Sequence, residues 1–88
     1  MDEKTYALLV ALREQVPWAP ERSGGDSLNV NAWDAAVTVG MEPGSTEHCL
    51  RIDDLVSGGY LTPHPRPIFR RQWVYQITLR GIATAEAG

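Results

Sequence analysis

Cysteine is almost absent. Cys49 is the single thiol in 88 residues, which excludes an internal disulfide and any cysteine-rich zinc site. His48 and His64, with that one cysteine, match no metal-ligand spacing, so Cys49 reads as a small buried residue. Long apolar runs are missing too, and none approaches the ~20 residues that a membrane-crossing helix needs. The opening Met1-Asp2-Glu3-Lys4 is acidic where a signal peptide is basic, and no apolar segment follows it. A cytoplasmic protein is therefore expected. There is no glycine-rich phosphate loop and no recognisable carboxylate pair. His48 and Cys49 are neighbours on an expected helix, where their side chains diverge by about 100° and form no nucleophile–base pair. The sequence calls for no catalytic residue, cofactor or metal.

What is present fits one small soluble domain. The chain is long enough for a single core, with 43% hydrophobic and 22% charged residues. The net charge of −3 is unevenly spread. Residues 1–59 hold Lys4, Arg13, Arg22 and Arg51 against ten acids, a net of −6; residues 60–88 hold Arg66, Arg70, Arg71 and Arg80 against Glu86, a net of +3. An acidic body carrying a basic C-terminal element is the feature that most constrains the partner.

A first helix is expected over residues 3–15, capped by Asp2, with Glu3 at the positive end of its dipole. Tyr6, Leu9, Val10, Leu12 and Val16 form its core stripe. Leu8 widens that stripe and is assigned to the core, with a dimer contact as the alternative. Pro17 stops the helix. Residues 17–27 read as a loop rich in Pro, Gly and Ser, with Trp18 tucked onto the core. Leu28-Asn29-Val30 is a short strand.

Asn31 then caps a second helix, with Asp34 as the reciprocal partner of a capping box. Its apolar stripe is Trp33, Ala36, Val37, Gly40 and Met41. After the turn Glu42-Pro43-Gly44, Ser45 or Thr46 caps a third helix that runs to Ser57 with Cys49, Ile52, Leu55 and Val56 on one side. Gly58-Gly59 ends it. A strand Tyr60-Leu61-Thr62 leads into Pro63-His64-Pro65-Arg66-Pro67, whose alternate prolines favour a stiff, extended excursion. Period-two alternation of Trp73, Tyr75, Ile77 and Leu79 predicts a strand over residues 69–79. Tyr75 and Ile77 are expected to pack on the first and third helices. Gly81 breaks the strand, and a short terminal helix follows.

The order helix, strand, helix, turn, helix, hairpin resembles the layout of winged helix-turn-helix domains, an α+β fold. Leu55-Val56-Ser57-Gly58-Gly59-Tyr60-Leu61-Thr62 is similar to the run joining the recognition helix to the wing. Tyr75-Gln76-Ile77-Thr78-Leu79-Arg80-Gly81 resembles the returning wing strand of MarR-like and PadR-like transcriptional regulators. The resemblance implies a small regulator that binds double-stranded DNA, its third helix in the major groove and its wing on the backbone or minor groove. Ser45, Thr46, Glu47, Leu50 and Arg51 would then face the DNA from the helix. Arg66, Arg70 and Arg71 would do so from the wing, with His64 as a lesser member.

The charge of the third helix pulls the other way. Glu47, Asp53 and Asp54 outweigh Arg51, and phosphates repel carboxylates. The alternative is a protein-interaction module on the same fold, with Leu50 and Leu8 as contacts and the Pro-rich tip, with Phe69 and Trp73, docking a partner. A homodimer or a monomer is equally open. Surface charge separates the classes: a continuous positive face across third helix and wing favours DNA, and a mixed or negative helix favours protein.

Overall fold

The computed structural model describes residues 1–16 and 28–87. The expected helix stop at Pro17, the loop over residues 17–27 and the seat of Trp18 lie outside them. The described elements run α1 (Glu3–Arg13), β1 (Asn29–Asn31), α2 (Ala32–Thr38), α3 (Thr46–Ser57), β2 (Leu61–Pro63), α4 (Pro67–Arg70), β3 (Val74–Ile77) and α5 (Leu79–Ala87). The class is α+β, as the alternation of helical and period-two segments predicts.

Local chemistry sets the helix ends. The Asp2 carboxylate accepts the Lys4 N–H at 3.2 Å, which starts α1. Asn31 Oδ1 accepts the Asp34 N–H at 3.0 Å, and Ser45 Oγ accepts the His48 N–H at 3.2 Å. The capping-box expectation is corrected in one respect. The Asn31 N–H donates to Gln15 Oε1 (2.7 Å), and Gln15 Nε2 donates to the Asn31 carbonyl (3.1 Å). The side chain after α1, rather than Asp34, is therefore the partner of the second helix's cap.

Helices α2 and α3 end alike. The Met41 N–H reaches the Ala36 carbonyl and Gly40 reaches Val37; the Tyr60 N–H reaches Leu55 and Gly59 reaches Val56. These paired bonds need a left-handed residue just past the helix, which Gly40 (φ 76°) and Gly59 (φ 81°) supply. Gly40 is thus a terminator and not a member of a helical stripe.

The core joins Leu8, Leu9 and Leu12 of α1 to Ile52 and Leu55 of α3, with Val30, Leu61 and Ile77 from the strands. Leu8 is fully buried, in agreement with its core assignment. Helix α2 buries Ala32, Ala35 and Ala36 instead of the expected Trp33 and Val37, which are 43% and 62% exposed. Small side chains let α2 lie close to its neighbours, and that overrides the larger apolar residues.

The sheet is antiparallel in the order β1-β3-β2. Asn29, Val30 and Asn31 oppose Gln76, Tyr75 and Val74; Leu61, Thr62 and Pro63 oppose Ile77, Gln76 and Tyr75. The strand expected over residues 69–79 is only Val74–Ile77 long. At its start, Pro67 initiates the one-turn helix α4, since proline's fixed φ suits the first helical position. At its end, Thr78 Oγ1 accepts the Gly81 N–H (3.0 Å) and starts α5. Leu79 is thereby placed on a helix and is exposed, and Gly81 lies within α5.

Candidate nucleic-acid interface

Helix α3 buries His48, Ile52 and Leu55. On the opposite side Thr46, Leu50, Asp53 and Asp54 are exposed, with Leu50 at 59%. Cys49 is half-buried, so it is not the buried residue its type suggested. Burial foremost raises the Tyr75 phenol pKa, and the charges of nearby Asp53 and Cys49 add to the effect.

The polar candidates on α3 are largely engaged within the molecule. Ser45 Oγ is occupied as the helix cap. Arg51, expected to face DNA from the third helix, turns toward α1. It pairs with Asp2, donates to Thr5 Oγ1 at 2.9 Å, and donates to Glu47 Oε1 at 3.1 Å. Glu47 also faces Lys4 at 3.6 Å. The Arg51 hydrogen bond, reinforced by the Lys4 backbone N–H, holds the Asp2 carboxyl below its ordinary range. Among the described residues, then, the outward stripe of α3 presents Thr46, Leu50, Asp53 and Asp54 with no unpaired cation.

The remaining candidates lie together on the arm between β2 and β3. This segment is not the extended excursion that its prolines suggest. The Arg70 guanidinium donates to the carbonyls of His64 and Pro65 and folds the arm back on itself. The correction extends to His64, which is 4% exposed and not a surface contact. Its Nδ1 accepts the Arg66 N–H (3.0 Å), and its ring tilts against Phe69 at 4.7 Å. Arg66 and Arg71 are exposed, and among the described residues no acid pairs with either. Among the described residues Arg70 meets only neutral carbonyls, so no acid offsets its charge either. Among the other described cations, Arg13 pairs with Glu86 at 2.6 Å, and Arg80, which like Arg70 meets no acid, lies over the Tyr60 ring at 4.8 Å, outside the arm.

His48 couples the arm to α3. Its ring stacks on Trp73 (5.1 Å, 20° between planes), and Trp33 tilts against Trp73 at 5.8 Å. Nδ1 accepts the Gly44 N–H (3.0 Å), which leaves the proton on Nε2 to donate to the Ala32 carbonyl (3.0 Å). Burial lowers the His48 pKa below 6.5, partly offset by the bond to Ala32. Trp73 adopts φ 64°, a conformation that bulky residues rarely take. The stack and the Ala32 N–H donating to the Trp73 carbonyl (2.9 Å) hold it there. The spacing of His48, Ile52 and Leu55 along one helical face carries the signal for this buried histidine, which a search for metal-ligand patterns passes over.

Comparison of the chain with protein-family models, curated proteins and solved structures returns no match.

Proposed function

We propose that the chain is a winged helix-turn-helix module that binds double-stranded DNA chiefly through its wing. The three-helix body, the β1-β3-β2 sheet and the arm between β2 and β3 are compatible with that fold. The observation that carries the reading is the grouping of Arg66, Arg70 and Arg71 on one arm, with no acid between Tyr60 and Gly81. A compact cationic tip on an otherwise acidic body suits phosphate neutralisation, and repulsion of the body leaves the tip as the point of approach. Helix α3 then contributes Thr46 and Leu50 and no cation, in contrast to the mode in which Arg51 reads the major groove.

Electrophoretic mobility shift with mixed-sequence duplex tests this division. Arg66→Ala/Arg71→Ala weakens binding across all sequences, whereas Arg51→Ala at matched folded fraction leaves affinity near that of the parent. A loss from Arg51→Ala equal to that of the arm pair contradicts the wing-led mode.

A protein-interaction module is the second reading: the outward face of α3 is negative and does not continue the positive arm, which by surface charge favours a protein partner, so the arm alone supports DNA. Leu50 is an exposed apolar residue flanked by Thr46, Asp53 and Asp54, a surface better matched to a polar-rimmed protein contact than to phosphate.

A further inference from the structure

The arm tip carries more than charge. Ile68 is 63% exposed, while its neighbour Phe69 turns inward onto His64. Proline precedes Ile68 at position 67 and Arg66 at position 65. The turn beneath Ile68 is fixed at several points: Arg70 ties to two carbonyls, His64 accepts from Arg66, and the Phe69 N–H donates to the Arg66 carbonyl at 3.1 Å. The right-handed turn continues through Arg71 (φ −72°), so Arg71, three residues on, falls on the same side as Ile68. A β-branched apolar side chain is thus held out in water on a stiff support, with exposed arginines before and after it.

We infer that Ile68 is a wedge for the minor groove of duplex DNA, entering at a base step while Arg66 and Arg71 hold the flanking phosphates. This rests on the DNA-binding reading and specifies what the tip does there. Charge complementarity selects the occupant, because the charged residues nearest Ile68 in the chain, Arg66 before it and Arg70 and Arg71 after it, are all cations and the nearest acids in sequence lie outside the arm. Apolar side chains inserted from the minor groove unstack one step and bend the helix axis, and the stiffness of this turn means that little ordering is required on binding. Steps that are already weakly stacked are the preferred entry points.

The test compares two duplexes of about 25 base pairs, one fully matched with a central TA step and one carrying a two-nucleotide bulge at that point. End-to-end energy transfer reads bending, and anisotropy reads affinity. The parent protein bends the matched duplex and prefers the bulged one by about fivefold or more, because the cost of unstacking is already met there. Ile68→Ala, at an exposed position that leaves the fold intact, abolishes the bend and the preference while keeping salt-dependent binding. Retention of the bend or the preference in Ile68→Ala overturns the wedge and leaves DNA binding standing. Absence of any duplex binding by the parent overturns both.

Discussion

His48 shows how one side chain organises its surroundings. Both ring nitrogens are satisfied only in the neutral form, since a protonated Nδ1 cannot accept the Gly44 N–H. Its pKa is lowered in the folded chain, chiefly by burial, against 6.5 when free. The unfolded chain therefore binds the proton first. The contribution of His48 to stability is complete above about pH 6.5 and is lost as pH falls from there through the lowered folded value. Urea midpoints measured between pH 7.5 and 5 should decline for the parent, and the decline should flatten in His48→Gln. Asp2 behaves separately: its contribution is present above 3.8 and disappears as pH falls through its lower folded value. Gly81 gives a second residue-level test. A Cβ there would collide with the Tyr60 carbonyl oxygen and come within 2.9 Å of Ile77 Cγ1. Gly81→Ala gains about 1 kcal/mol of helix propensity, yet a backbone collision outweighs it, for a net loss of about 1–3 kcal/mol in urea unfolding.

At the scale of elements, what the sequence made legible was whatever local chemistry decides. Asp2, Asn31 and Ser45 cap helices where their types and positions predict, and Gly59 ends α3 within one residue of expectation. The misreadings occur where two local rules compete or where a distant partner intervenes. Trp73, Tyr75, Ile77 and Leu79 alternate perfectly, but Pro67 starts a helical turn before them and Thr78 starts α5 among them. Arg51 lies on the expected helix, yet its role is set by Asp2, 49 positions away. Nothing in the spacing of α3 reveals that partner. Arg51→Ala should lower the melting temperature by loosening α1 from α3, with a smaller difference in high salt because the paired carboxylates are exposed. Leu8→Ala, at a fully buried position of α1 in the common core, should cost about 2–5 kcal/mol in urea unfolding.

At the scale of the molecule, the decisive property is where charge remains uncommitted. Among the described residues, Lys4, Arg13 and Arg51 are paired with acids in the body and Arg80 rests on Tyr60, while Arg66, Arg70 and Arg71, which meet no acid, lie together on the arm. The net charges of −6 and +3 in the two parts of the sequence announced this polarity. They could not announce that α3 would use up its own arginine. The central claim, that the arm binds duplex DNA, is tested most directly by anisotropy of a labelled mixed-sequence duplex at salt concentrations rising from about 50 mM. With the three arm arginines on phosphates, the logarithm of affinity should fall against the logarithm of salt with a slope of about −2 to −3. Removal of Arg66 and Arg71 together should bring that slope to about −1. No binding at the lowest salt, or a slope unchanged by the double substitution, would contradict the account and turn attention to α3 as a protein-binding face.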